Sequence, residues 1–263
     1  MIRTAIVALV FALAIIFGLP WLILWSLLTG NQDLMYNLSM GTVRFALRLV
    51  GVRVRVEGME NIPPGACIFV ANHVSYIDPL AFIPIIPRRL AIPLKKEVFR
   101  IPILSYGMRL AKFVPVDRAS RKASTESLRL ALRYLSEGYS LAAYPEGTRS
   151  ADGRMQEFKG GAFVMALQAR LPIVPVSIIG AHKLLPKGEI AIRPGEVIVH
   201  FGTPVNTSEY SPADRQKLIA RVEALVAAGL PPDQQPAPPE QQAEQPPQQK
   251  PSQQPDQQPP APL

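Results

Sequence analysis

From Thr4 to Leu28 the chain carries not one ionisable side chain, and no other stretch limits its architecture so sharply. About 20 apolar residues in a helix cross a hydrocarbon core, so this run is long enough to enter a membrane. Gly18 and Pro20 interrupt its middle, and Trp21 and Trp25 follow, side chains whose amphipathic rings favour the membrane–water interface. A secretory leader is disfavoured: only Arg3 stands ahead of the run, and no small-x-small cleavage site follows before Gly30. Two membrane arrangements stay open, a single tilted or kinked span and a re-entrant pair of half-helices. Behind the run, Leu34, Leu38, Phe45 and Leu49 recur near helical spacing with Arg44 and Arg48 beside them. That pattern suits a helix lying in the interface with its cations toward headgroups, and equally an amphipathic helix packed on a core. Residues 1–50 are expected to form a membrane-anchoring helical segment.

The opposite end is polar. From Pro231 to Leu263 the sequence is almost wholly proline, glutamine and alanine, with 12 of the chain's 28 prolines, and it lacks the apolar area to offset its ordering entropy. Residues 230–263 are expected to be disordered, with stretches of polyproline-like extension. The tail holds Asp233, Glu240, Glu244 and Asp256 against Lys250, so the rest of a chain of net charge +8 is strongly basic. A basic body invites nucleic acid or an anionic membrane surface. The uncharged N-terminal run decides for the membrane, where each cation near an anionic leaflet adds roughly 1 kcal/mol. No zinc-finger spacing or RNA-binding signature speaks for nucleic acid. Cys67 is the only cysteine, so neither a disulfide framework nor a thiolate metal cluster is available. It stands in an apolar run and reads as a small buried hydrophobe, consistent with a reducing compartment.

Between these ends, residues 51–229 suffice for one domain with a buried core. Val52–Glu57 alternates apolar and charged, as a strand with one wet face does. Cys67–Ala71, Leu90–Leu94, Phe113–Val116, Ser140–Tyr144 and Ile173–Ile179 are short apolar runs of the length of buried strands. Helical patterns lie between them, clearest over Ser124–Glu137, where Leu128, Ala131, Leu132 and Leu135 share a face. Glu189–Arg193 and Glu196–Phe201 alternate around Pro194-Gly195, which predicts a hairpin. Ser211-Pro212 opens a last helix running to about Ala228. Strands alternating with helices predict an α/β domain, a mixed and largely parallel sheet flanked by helices.

Two strings carry chemistry. Asn72-His73-Val74-Ser75-Tyr76-Ile77-Asp78 follows a buried strand, where open α/β sheets place their ligands. His73 offers a general base, and Asp78, five residues on across a tight turn, offers the carboxylate that fixes tautomer and direction. Taken alone, a loop histidine and a helix-capping aspartate explain the pair as well. Tyr144-Pro145-Glu146-Gly147-Thr148-Arg149-Ser150 follows another buried strand. There Gly147 allows close backbone approach, Thr148 can donate, and Arg149 supplies a two-pronged cation for an anion such as phosphate. Lys95-Lys96-Glu97 adds a third basic site at a strand exit. A base and two cationic sites at strand exits fit a hydroxyl on a phosphate ester. There is no Gly-x-Ser-x-Gly elbow, and with Cys67 in the core no covalent nucleophile presents itself.

In four ordered blocks the chain resembles the glycerophospholipid acyltransferases, and among them the 1-acyl-glycerol-3-phosphate acyltransferases. The blocks are Asn72-His73-x4-Asp78-Pro79; Lys96-Glu97 with Pro102 and Asp117-Arg118; Tyr144–Ser150 with Phe158-Lys159-Gly160-Gly161; and Val174-Pro175-Val176. Tyr144 stands where phenylalanine is usual, and Ser105 where a glycine is. The resemblance implies that His73 deprotonates the free sn-2 hydroxyl of 1-acyl-glycerol-3-phosphate, with Asp78 holding the imidazole. The oxygen then attacks the thioester of acyl-CoA or acyl-carrier protein directly, giving phosphatidate. It further implies that Glu146, Gly147, Thr148 and Arg149, with Lys96, bind the phosphate, and that no metal or cofactor is needed beyond the acyl thioester. The expected partners are membrane lipids and the acyl donor, with the site on the cytoplasmic face. An acyltransferase for another lysophospholipid or a lyso-aminoacyl lipid, and a non-catalytic lipid-binding protein, are the competing readings. The sequence bears no sign of oligomeric state.

Overall fold

The computed structural model describes residues 1–117 and 121–237; Arg118 and the tail beyond Ala237 lie outside the described residues. Ile2–Thr29 is a single helical run: α1 (Ile2–Leu13), a π turn at Ala14–Gly18, and α2 (Leu19–Thr29) with Pro20 in its first turn. A wider turn accommodates the interruption without ending the helix, so the two half-helices are continuous. Only Val7 and Ser26 are buried in it, while Phe17, Trp21, Trp25 and Leu28 stand exposed.

After a left-handed Gly30, α3 (Asp33–Leu49) folds back along α1 and α2. It buries Met35, Tyr36, Ala46 and Leu47 against the body, and the spaced stripe Leu34, Leu38, Phe45 and Leu49 faces outward. An apolar stripe turned away from the core is what an interfacial helix presents to lipid.

Both ends of the long helix touch the body. Arg3 Nε donates to the Val50 carbonyl at 3.2 Å, and the Thr4 hydroxyl donates to Ile190 O while accepting from the Ile192 N–H at 3.1 Å. Past the far end, Asp33 pairs with Arg89. Near its middle, a Cβ on Gly107 of α5 (Pro102–Leu110) would come within 2.9 Å of Leu19 Cδ1, so the two helices lie in close contact.

The body is one seven-stranded sheet: β1 (Val52–Glu57), β2 (Ile68–Ala71), β3 (Leu90–Lys95), β4 (Phe113–Val116), β5 (Ser140–Ala143), β6 (Ile173–Ile179) and β7 (Gly195–Phe201). Their spatial order is β1-β7-β6-β2-β5-β3-β4, with every neighbouring pair parallel except β6–β7. The expected mixed, largely parallel α/β sheet is therefore present. One face packs on α3, α4 (Ile77–Phe82) and α8 (Ala181–Leu184) around Phe69, Phe82 and Phe201. The other packs on α6 (Arg121–Ser136), α7 (Gly161–Ala169) and α9 (Arg215–Ala228) around Phe163, Leu141 and Leu218. Central β2 and β5 are buried along their whole length, as apolar runs without alternation require.

Two expectations change. Glu189–Arg193 is not a strand, and no hairpin forms at Pro194-Gly195. The backbone of that segment is bonded to Thr4 instead, and β7 finds its partner in β1, with Val52 opposite Gly195. The polar tail also begins later than composition suggests. Leu230 is buried, and Gln234 is buried with its side chain accepting from the Gly180 N–H at 2.8 Å and donating to Ile178 O at 3.3 Å. Its carbonyl accepts from the Met155 N–H at 2.9 Å. A glutamine that satisfies backbone groups at the end of a buried strand belongs to the domain, whatever its neighbours.

Candidate active site

β2 and β5 are neighbours and parallel, so the two strings leave the sheet side by side at its C-terminal edge. Asn72 follows β2 with both halves of its amide on one residue: Oδ1 accepts from the Ile178 N–H at 2.7 Å and Nδ2 donates to Ile178 O at 3.0 Å. That double bond to β6 fixes where His73 leaves the sheet.

His73 Nδ1 lies 2.8 Å from Asp78 Oδ2, and the same carboxylate oxygen accepts from the N–H groups of Val74 at 2.7 Å and Ser75 at 2.8 Å. Asp78 is fully buried at the start of α4. An Nδ1–H held by a carboxylate leaves the lone pair on Nε2, the nitrogen that can take a proton. The five-residue spacing works because the intervening turn folds onto the carboxylate. Ser75 secures it further, donating through Oγ to Leu185 O at 2.8 Å and accepting from the Ile77 N–H at 3.1 Å. Over one face of the imidazole lies the Tyr144 ring, 4.3 Å between centroids and tilted 27°.

The second string is joined to the first through the histidine's own backbone. The His73 N–H donates to Glu146 Oε1 at 2.7 Å, and the Ser150 N–H donates to the His73 carbonyl at 2.9 Å. Gly147 turns with φ +77°, which calls for glycine, and a Cβ there would lie 2.9 Å from Lys159 Nζ, which places that ammonium against the turn. Thr148 is half-buried beside it. Arg149 stacks on Tyr76, its Cζ 3.4 Å from the ring centroid, and its Nη1 has no hydrogen-bond partner among the described residues. Its carbonyl accepts from Lys187 Nζ at 2.7 Å. Lys159, Arg149 and Lys187 thus ring one turn with positive charge.

Glu146 is buried, and burial pushes its carboxyl up to about 8. The backbone N–H groups of His73 and Gln156 work against that rise, while the charges of Asp78 and Asp152 add to it. Near neutral pH the group is largely protonated and puts little negative charge beside the cationic turn. Its first task is structural, clamping the turn to His73.

Lys96 is placed differently from the other expected ligands. It begins the turn after β3 and is ion-paired with Asp117 at the end of β4. Cys67 is buried with its thiol pushed up to about 11, burial being the main cause, and it makes no nucleophile. Among the described residues no three His, Cys, Asp or Glu side chains converge as metal ligands. Tyr76, Lys159 and Lys187 escaped the reading of residue types. Tyr76 lies within the first string and Lys159 within the third block, where neither is given a role, but Lys187 lies far along the chain with no local signal.

An apolar cavity of about 450 Å³ lies between the N-terminal helices, α3 and α5, walled by Phe11, Gly18, Leu22, Leu38, Met108 and Phe113.

Residues 53–179 match the Acyltransferase family, a span that contains every block named above. The chain is 32% identical to the 1-acyl-sn-glycerol-3-phosphate acyltransferase of Limnanthes alba over 233 residues, covering 86% of this chain and 82% of that protein. It is 31% identical to a probable 1-acyl-sn-glycerol-3-phosphate acyltransferase of Mycoplasma pneumoniae, covering 68% and 72%. In structure it matches the crystallised 1-acyl-sn-glycerophosphate acyltransferase of Thermotoga maritima with a TM-score of 0.75 at 29% identity, over 87% of this chain and 93% of that one. Ordered motifs, sheet and relatives agree, and the chain belongs to the acyltransferase family that includes the 1-acyl-sn-glycerol-3-phosphate acyltransferases.

Proposed function

We propose that the protein transfers a fatty acyl group from a soluble thioester, acyl-CoA or acyl-carrier protein, to the sn-2 hydroxyl of lysophosphatidate. His73 Nε2 takes the hydroxyl proton as the oxygen attacks the thioester carbonyl. The carbon–sulfur bond then breaks, and the imidazolium returns the proton to the departing thiolate. Asp78 holds the imidazole in line and stabilises its charged form. Arg149 and the backbone of the Gly147 turn receive the phosphate, with Thr148 beside them. Glu146, kept neutral by burial, adds no repulsion beside them. Lys96 contributes positive charge at the neighbouring strand exit, and the reaction draws on no metal or further cofactor. The apolar cavity between the N-terminal helices and α5 suits a fatty chain.

The observation that carries this reading is the double backbone link that sets Arg149's turn beside the His73–Asp78 pair. Purified protein given labelled acyl-CoA or acyl-carrier protein and a panel of lyso-lipids should acylate lysophosphatidate in preference to other acceptors. His73→Ala should lower turnover about 10²- to 10⁴-fold while substrate binding persists; near-normal turnover would sink the assignment.

The N-terminal helix, tethered to the body at both ends, lies along one membrane face with its tryptophans in the interface, rather than crossing. A soluble donor then reaches the site from the cytoplasm.

A further inference from the structure

Tyr76 has no part in the proton transfer above, yet it stands within the first string with 59% of its surface exposed. The backbone on either side is locked: Ser75 is bonded to Asp78 and Leu185, and the Ile77 N–H to Ser75 Oγ. The turn that aims His73 therefore also presents the Tyr76 ring at a set place. Over that ring lies the Arg149 guanidinium, its Cζ 3.4 Å from the centroid. The donors of a guanidinium lie in its plane, so stacking covers the face without using any of them. Nη1 is buried and without a hydrogen-bond partner among the described residues, while Lys187 holds the Arg149 carbonyl. A flexible side chain is thus held at its backbone and at its head, with one buried donor left unsatisfied.

We propose that Tyr76 is a positioning residue for phosphate recognition: its ring holds the Arg149 guanidinium in place, so that its unsatisfied in-plane donor is set to meet the acceptor's phosphate. This rests on the acyl-transfer reading above. An ordered guanidinium binds better than a mobile one because less side-chain freedom is lost on binding. The same turn would then orient both reacting partners, the base directly and the acceptor through Tyr76 and Arg149.

The test is steady-state acyl transfer to lysophosphatidate by the full-length protein in detergent micelles, with oleoyl-CoA and oleoyl-acyl-carrier protein each tried as donor. Tyr76→Ala should raise the KM for lysophosphatidate about 3- to 10-fold, leaving kcat and its pH profile in place. Tyr76→Phe, which keeps the ring, should restore the KM. Placed on an Arg149→Ala background, Tyr76→Ala should add nothing further, because it acts through the missing guanidinium. An unchanged KM in Tyr76→Ala beside an active wild type overturns this inference alone, as does a fall in kcat with a shifted pH profile, which would assign Tyr76 to His73. A wild type that leaves lysophosphatidate unacylated with either donor overturns the acyl-transfer reading and this inference with it.

Discussion

A charged Glu146 would oppose the phosphate proposed for the neighbouring turn, and burial removes that conflict by keeping the carboxyl protonated up to about 8. The consequence for stability has a definite sign. An exposed carboxyl in the unfolded chain loses its proton near 4.5, while the folded one keeps it to about 8, so stability is fully present at acid pH and falls as pH rises between these values. Glu146→Gln retains an acceptor for the His73 N–H and removes the titration. Its melting temperature should change less between pH 5 and pH 8 than that of the wild type, by calorimetry or by circular dichroism. Equal slopes would mean that Glu146 ionises freely. At this scale the sequence yields the His73–Asp78 pair, because five residues across a turn is a local relation. It does not yield the Glu146 clamp or the stacking of Arg149 on Tyr76. Those depend on β2 and β5 lying side by side, a tertiary fact with no periodicity.

Helix α5 is set against α2 by a missing side chain. Gly107 brings its backbone within reach of Leu19, and a methyl there would already meet Leu19 Cδ1 at 2.9 Å. The tip of a leucine can give way, so Gly107→Ala should be mild. Gly107→Val forces the helices apart and should cost about 1–3 kcal/mol by overpacking, seen as a lower melting temperature in detergent than Gly107→Ala gives; equal melting temperatures would show that the contact is loose. Elements were legible where burial was simple. Ile68–Ala71 and Ser140–Ala143 are apolar throughout because both faces are covered, and the strands fall within a residue of the apolar runs. The segment Glu189–Arg193 alternates like a strand, yet its backbone partner is Thr4, and alternation reports a wet and a dry face without naming what lies across. Gln234 shows the reverse case, a residue in a polar, proline-rich context whose amide is consumed at a buried strand end.

Across the whole molecule, the length and apolarity of Ile2–Thr29 would let it span a bilayer, but its two ends both meet the same body. If the helix lies in one leaflet, residues near either end share a side. Cys67 is buried, so single cysteines placed at Ile2 and Asn31 can be labelled against a quiet background. In sealed vesicles an impermeant maleimide should reach both positions from the same side; labelling from opposite sides would establish a span. Composition predicted membrane association without deciding between a tilted or kinked span and a re-entrant pair of half-helices, since both need the same apolar length.

The pairing of β1 with β7 sets Val52 against Gly195, so one edge of the sheet waits for a strand that the ribosome delivers much later. By then the apolar N-terminal helix has long emerged and has every reason to partition into lipid. Closing so distant a parallel pair is slow. A chain whose helix has entered lipid by then would complete its domain while already moored, with the bilayer surface as the place of its assembly.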